Sequence, residues 1–275
     1  MGKNPQREGT ILIGKSNFKI NLGLYVTEKR PDGFHNLETV FYPVDNLCDT
    51  IEIEPADEVT FEMVGGDFTT DAEKNLCVKA FRLLQNNYHL PGASIRLDKN
   101  IPSGAGLGGG SADAATVLKL TNELFNLHIS NSLLKEYAAS LGSDVAFFID
   151  NTPSYATGKG EILTPIPVHF SGKVISVFKP EVSVSTAEAY AHVTPLPGRP
   201  SLQNLIKEPI EKWKYLIVND FEKSVFHQYP ILADIKKKYY ELGADYASMS
   251  GSGSSLFAIA DKPIQLLPYF SGIDL

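Results

Sequence analysis

The sequence predicts an α+β fold in two domains, and three observations carry that prediction. The chain has 275 residues, enough for one large core or two ordinary ones. Its hydrophobic share of 43% and charged share of 21% are those of a folded globular protein. Strand-like and helix-like stretches are mixed along it without the regular βαβ alternation of a doubly wound sheet. The turn-rich stretch from Asn151 to Gly160 marks the boundary, dividing the chain into 1–155 and 156–275.

Taken in order, Ile11 to Ile13, Phe18 to Val26 and Thr39 to Pro43 are β-prone runs punctuated by Gly14-Lys15-Ser16 and Arg30-Pro31-Asp32-Gly33. Thr50 to Glu54 alternates, and Val59, Phe61 and Met63 fall on one face, so both stretches read as half-exposed strands. Leu76, Ala80, Leu83 and Leu84 recur at a helical interval within 75–87, and Ala93 to Leu97 is again β-prone. A glycine-rich loop follows, and then a helix with Val117, Leu120, Leu124 and Leu127 on one side. A second helix is expected over Ser132 to Ser140. Beyond the boundary, Lys173 to Phe178 reads as strand, Thr186 to His192 and Pro230 to Leu242 as helices. A second glycine-serine loop, Ser248 to Ser255, leads into a strand at Leu256 to Ile259.

Charge and cysteine content exclude several function classes. A net charge of −7 disfavours nucleic acid and anionic membrane as partners, because both reward a positive field. Cys48 and Cys77 are too few for a disulfide framework and read as buried thiols in a reducing compartment. The opening MGKNPQREGT is polar, without the apolar run of a signal peptide, and no stretch approaches the roughly 20 apolar residues of a membrane span. The expectation is a cytoplasmic protein. Lys236-Lys237-Lys238 reads as a solvated charge run and Trp213 as packing.

The chemistry is concentrated in Gly104, Gly106, Gly108, Gly109 and Gly110. Glycines admit positive φ and close ligand approach, and a loop entering a helix N-terminus presents unpaired N–H groups at the positive end of the macrodipole. That combination suits a phosphate. Gly104, Gly106 and Gly109 satisfy G-x-G-x-x-G, but a helix rather than a second strand follows and no acidic residue is suitably placed, which argues against a dinucleotide fold. No Lys-Ser or Lys-Thr follows the last glycine, as a Walker loop requires, and the H-R-D and D-F-G of protein kinases are missing.

The run Ile101-Pro-Ser-Gly-Ala-Gly-Leu-Gly-Gly-Gly-Ser-Ala-Asp-Ala-Ala resembles the P-x-x-x-G-L-G-S-S-A-A signature of the GHMP small-molecule kinases. Lys15-Ser-Asn-Phe-Lys-Ile-Asn-Leu and Ala247-Ser-Met-Ser-Gly-Ser-Gly-Ser-Ser-Leu-Phe match two further family regions, in the family's order and over nearly the whole chain. Arg30-Pro-Asp-Gly-Phe-His-Asn-Leu and Leu141-Gly-Ser-Asp-Val-Ala-Phe-Phe resemble segments of the family branch that serves the non-mevalonate isoprenoid route. That branch phosphorylates a cytidine diphosphate-linked polyol. Two positions depart: Phe34 stands where Tyr is usual, losing a hydroxyl, and Phe18 where a small residue is common.

The resemblance implies a two-domain α+β GHMP kinase architecture with ATP and substrate in the interdomain cleft, and ATP with Mg²⁺ as co-substrate. It implies Asp144 as general base and Lys19 as its partner, and the stretch Pro102, Ser103, Gly104, Ala105, Gly106, Leu107, Gly108, Gly109, Gly110, Ser111 and Ala112 around the ATP phosphates. Phe34 and Tyr190 would flank the cytosine, with His35 and Asn21 as hydrogen-bonding partners and Thr186 as a substrate contact. No protein ligand for the metal is implied, and the chain is expected to act as a monomer or homodimer. Taken alone, Asp144 also reads as a cap on a helix beginning at Val145, and Lys19 as an exposed strand lysine. Three rivals stay open: a GHMP kinase acting on mevalonate or homoserine, a catalytically dead nucleotide-binding protein, and an NAD-dependent oxidoreductase.

Overall fold

A computed structural model describes residues 10–66 and 71–275, so the polar opening segment 1–9 lies outside the described residues. Strands β1 (Leu12–Lys29), β2 (His35–Ala56) and β3 (Thr60–Val64) precede helix α1 (Leu76–Tyr88) and strand β4 (Gly92–Asp98). Helices α2 (Gly109–Leu124), α3 (Asn131–Leu141) and α4 (Phe147–Asp150) follow, then the hairpin strands β5 (Ser154–Thr157) and β6 (Ile162–Pro165). The remainder is β7 (Val174–Pro180), α5 (Thr186–Ala191), α6 (Leu202–Leu205), α7 (Ile210–Leu216), α8 (Phe221–Gln228), α9 (Pro230–Glu241), β8 (Tyr246–Met249), β9 (Leu256–Ala260) and β10 (Gly272–Asp274). The mixed α+β class is as the sequence predicts. Among the described residues no helix is long and apolar enough to cross a membrane.

Two compact units emerge, and neither is a single stretch of chain. The first takes the start of the chain up to Asn17, with Cys48–Ile101 and Gly109–Asp150. Within it β2 pairs antiparallel with β4, Thr50 opposite Asp98 and Ala56 opposite Gly92, and β3 runs parallel to β4. The alternation in Thr50 to Glu54 has its expected outcome: Ile51 and Ile53 are buried while their neighbours are half-exposed. Helix α1 packs on α2, and α2 and α3 both pack on α4. Helix α1 starts where the Asn75 side chain accepts from the Cys77 amide, 2.8 Å away, and buries Cys77, Val78, Ala80, Phe81 and Leu84. The buried stripe thus runs through Phe81, with Leu76 and Leu83 only half-buried beside it. Helix α2 stops at Leu124, so Leu127 lies beyond the helix in which the sequence places it.

The second unit takes Phe18–Leu47, Pro102–Gly108 and Asn151–Leu275. Here β2 pairs with β5, Thr39 opposite Ala156, and β5 turns back on β6. A four-stranded sheet in the order β10-β7-β9-β8 is antiparallel throughout. It buries Phe178, Ala247, Met249, Leu256 and Ala258 with Leu232, Ile235 and Tyr239 of α9 and Phe221 and Val225 of α8. Trp213 is packing, as expected, edge-on to Phe170 and Tyr246. The lysine run is not simply solvated. Lys236 Nζ lies 2.6 Å from a carboxylate oxygen of the buried Glu222, because α9 turns that face toward α8. Cys77 is buried and Cys48 only half-buried, against the expectation that both are buried.

Candidate active site

Strand alternation puts Lys19 and Asn21 on one face of β1. Both are buried, at 3% and 2% exposure, which corrects the reading of Lys19 as an ordinary exposed lysine. A buried ammonium requires acceptors. Lys19 Nζ donates to Asn21 Oδ1 at 2.7 Å and to the Gly106 carbonyl at 3.1 Å, and lies 5.1 Å from the Phe41 ring centroid. Asn21 Nδ2 donates to Thr39 Oγ1 at 2.9 Å, and that hydroxyl donates to the Gly23 carbonyl at 2.6 Å, which fixes which end of the Asn21 amide faces the lysine.

The first glycine loop is tied down through its carbonyls. Leu107 O accepts the Lys19 amide at 2.9 Å and Ala105 O the Ser255 amide at 3.2 Å. Gly106 O accepts both Lys19 Nζ and the Ser250 hydroxyl, the latter at 2.9 Å. The amides of Gly106, Leu107 and Gly108, by contrast, donate to no acceptor among the described residues. Gly104, Gly106 and Gly108 have φ of 63°, 77° and 72°, alternating with residues of ordinary φ, which turns neighbouring N–H groups toward one side. Carbonyls bound inward and amides left open fit a polyphosphate. Gly104 and Gly110 each have nothing within 4 Å of where a Cβ would stand, so an anion has open approach to the backbone there. Gly109, Gly110, Ser111 and Ala112 form the first turn of α2.

Beneath that turn, in the first unit, lies a buried charge cluster that the sequence does not foretell. Lys99 Nζ is held by Asp49 and, at 2.8 Å, by Asp113 Oδ2, while the Ser16 hydroxyl donates to Asp113 Oδ1. Asp49 also accepts the amides of Asn100 and Ile101, at 2.6 and 2.7 Å. Burial pushes the Asp113 carboxyl up to about 7, with the Asp49 charge adding to it and Lys99 opposing. Burial alone would depress Lys99, but its two carboxylates outweigh that and hold it above its usual value. A Cβ on Gly109 would stand 3.0 Å from Lys99 Nζ, so the ammonium packs directly under the start of α2.

Asp144 belongs to the first unit and lies half-buried in the turn between α3 and α4. Helix α4 begins at Phe147 rather than at Val145. His35 and Tyr190 are brought together in the second unit, ring centroids 4.9 Å apart and 23° from parallel. Tyr190 also meets Phe221 edge-on. Phe34, 57% exposed, instead lies under the Lys159 ammonium, 4.8 Å from its ring centroid. Thr186 opens α5, whose Ser185–Glu188 capping box fixes its start, and its hydroxyl lies 3.4 Å from that of Ser252 in the second glycine loop. Among the described residues no group of three or more His, Cys, Asp or Glu side chains is placed to hold a metal ion. A separate cavity of about 1220 Å³, lined in part by His192, Leu196, Val218, Asn219 and Glu222, contains none of the residues expected to be functional.

Comparison with known proteins fits this geometry. Residues 75–152 match the family model described as GHMP kinases N terminal domain, and residues 201–266 that described as GHMP kinases C terminal. The chain is 51% identical over 251 residues to a 4-diphosphocytidyl-2-C-methyl-D-erythritol kinase of Bacteroides fragilis, covering 90% of this chain and 92% of that relative. It is 42% identical over 254 residues to one of Porphyromonas gingivalis, covering 91% and 92%. A crystal structure of 4-(cytidine 5'-diphospho)-2C-methyl-D-erythritol kinase superposes with a TM-score of 0.81 at 31% identity, over 96% of this chain and 98% of that one. A homoserine kinase from Cytophaga hutchinsonii, 18% identical, superposes with a TM-score of 0.61 over 95% and 88% and shares the fold.

Proposed function

The chain belongs to the GHMP kinases, and within them to the 4-diphosphocytidyl-2-C-methyl-D-erythritol kinase family; from that membership we propose how its residues divide the work. It is an ATP-dependent phosphotransferase with an alcohol acceptor. The acceptor is the 2-hydroxyl of 4-(cytidine 5'-diphospho)-2-C-methyl-D-erythritol, in the non-mevalonate route to isoprenoids. The observation that carries the reading is the 51% identity over 90% of the chain. The inward-bound carbonyls and open amides of the first glycine loop supply a physical reason for a polyphosphate ligand.

ATP would supply the phosphoryl group, and Mg²⁺ would offset the charge of the phosphates. The backbone from Pro102 to Ala112 cradles the phosphates, and the Ser111 hydroxyl is the side chain best suited to a metal-bound water. Asp144 accepts the proton of the acceptor hydroxyl. Lys19, held on Asn21 and the Gly106 carbonyl, supplies positive charge for that oxygen and the moving phosphoryl group. The acceptor is a tertiary alcohol, hindered and weakly acidic, so positioning contributes more than base strength. Tyr190 and Phe34 flank the cytosine, His35 and Asn21 pair with polar atoms of the substrate, and Thr186 contacts it beside the second loop. The reading extends to a cytoplasmic setting and to a monomer or homodimer.

A coupled ADP-release assay tests it with the cytidylyl substrate, mevalonate and homoserine side by side. Turnover with the first alone is expected. Strong turnover with either of the others would overturn the substrate assignment.

A further inference from the structure

We infer that Asn219 and Glu222, which no sequence motif singled out, are positioning residues for phosphoryl transfer: they hold the second glycine loop in the place from which it supports Lys19. The inference rests on the proposed role of Lys19.

Asn219 is 2% exposed and stands just ahead of α8. Its Nδ2 donates to two carbonyls, Met249 O and Gly251 O, each at 2.8 Å, so one side chain straddles Ser250. Its Oδ1 accepts the Phe221 amide at 3.0 Å, which anchors it to α8. Glu222, 9% exposed, takes the other side of the same segment: Oε1 accepts the Met249 amide at 2.9 Å and the Ser248 hydroxyl at 3.1 Å. Its second oxygen meets Lys236 of α9 at 2.6 Å. Peptide groups on both sides of Ser250 are therefore fixed by side chains from α8 and the turn just before it.

Ser250 is where this matters. Its hydroxyl donates to Gly106 O, the carbonyl that also accepts Lys19 Nζ, and lies 3.5 Å from Asn21 Oδ1, a second acceptor of that lysine. Two acceptors of the Lys19 ammonium, Gly106 O and Asn21 Oδ1, thus touch Ser250. The backbones approach closely as well: a Cβ on Gly106 would collide with Ser250 O. A shift of the Met249–Gly251 segment is passed to Gly106 and Asn21, and so to the lysine. A purely structural tie between α8 and α9 requires the Glu222–Lys236 pair, but it does not require two donors from Asn219 on the carbonyls of a glycine loop.

Asn219→Asp keeps the acceptor for Phe221 and replaces both donors with carboxylate oxygen facing carbonyls. Assayed well below its melting temperature, it is expected to lose about 10- to 100-fold in kcat, with KM for the alcohol substrate within about threefold, because misplacement by about 1 Å costs on that order. In combination with Ser250→Ala the losses should overlap, the double variant being no worse than the poorer single one within about twofold. Should Asn219→Asp fail to fold, Glu222→Leu with Lys236→Met replaces the ion pair by apolar side chains, a change that buried pairs tolerate. It removes the loop anchors that Glu222 provides, and a kcat loss of about tenfold is expected. A wild-type kcat in whichever variant folds, with only the melting temperature lowered, would overturn the inference, as would fully multiplicative losses with Ser250→Ala. An inactive wild-type enzyme would instead defeat the kinase reading on which the inference rests.

Discussion

At the scale of single residues, two charged groups behave differently from what their type suggests. Lys19 is a lysine at 3% exposure whose acceptors include the Asn21 amide oxygen and the Gly106 carbonyl. A buried ammonium needs such acceptors to offset the water it has lost. The proposed division of labour predicts that Asp144→Asn still binds ATP, measured by calorimetry, while turnover falls by a factor on the order of a hundred or more; near-normal turnover would defeat the assignment of the base. Asp113 is the second unusual group. A carboxyl held at about 7 in the folded protein, against roughly 4 in the unfolded chain, binds its proton more tightly when folded. The stability it contributes is full below about pH 4 and is lost as pH rises through about 7. The melting temperature of the wild-type protein, taken relative to that of Asp113→Asn, is expected to drop by several degrees between pH 5 and pH 8. A pH-independent difference would show that the carboxyl is already ionised. The motif makes Lys19 and Asp144 legible as candidates for the chemistry, but the burial of Lys19 was not legible. One lysine on a strand reads the same whether its face meets water or buried acceptors, one of them from a distant loop.

At the scale of elements, the two glycine loops form one construction within the second unit. The first offers its carbonyls to Lys19, Ser250 and Ser255, and leaves amides open. The second is braced by Asn219 and Glu222. Gly106 is where they touch, at φ 77° and with no room for a side chain. Gly106→Ala combines a backbone conformation unfavourable to alanine with a clash against a carbonyl. We expect a destabilisation of about 1–3 kcal/mol in denaturant melts and a clear loss of ATP affinity. An alanine variant with wild-type stability and affinity would mean that the close approach is not maintained. The first loop was legible because five glycines crowded ahead of a helical pattern suit little besides an anion cradle. The bracing was not, because Asn219 and Met249 lie 30 positions apart in sequence and no local pattern links a residue ahead of a helix to a strand end. The strands merged for a related reason. The runs Thr39 to Pro43 and Thr50 to Glu54 are one strand, β2, whose first part pairs with β5 and later part with β4, and which also pairs with β1. Short elements such as β5, β6, α6 and β10 lack the length to show a period and exist through pairing and packing.

At the scale of the molecule, chain order and spatial order part company. Each compact unit is assembled from three stretches, and residues 102–108 fall in a different unit from the helix they lead into. That arrangement lets a motif from the start of the chain, one from the middle and one from the end meet within the second unit, as Lys19, Gly106 and Ser250 do. Periodicity and composition sufficed for the α+β class and for the strand, loop and helix around the first glycine-rich loop. They could not supply the meeting of these three segments, because contacts of that range depend on the whole fold. Family membership supplies what geometry alone does not, namely which alcohol is phosphorylated. The central claim is therefore the identity of the transfer, and ³¹P NMR of the reaction mixture tests it most directly. With ATP, Mg²⁺ and the cytidylyl substrate, one new phosphomonoester signal should grow in step with ADP while the substrate's diphosphate signals persist. Growth of inorganic phosphate alone, or loss of the diphosphate, would contradict it.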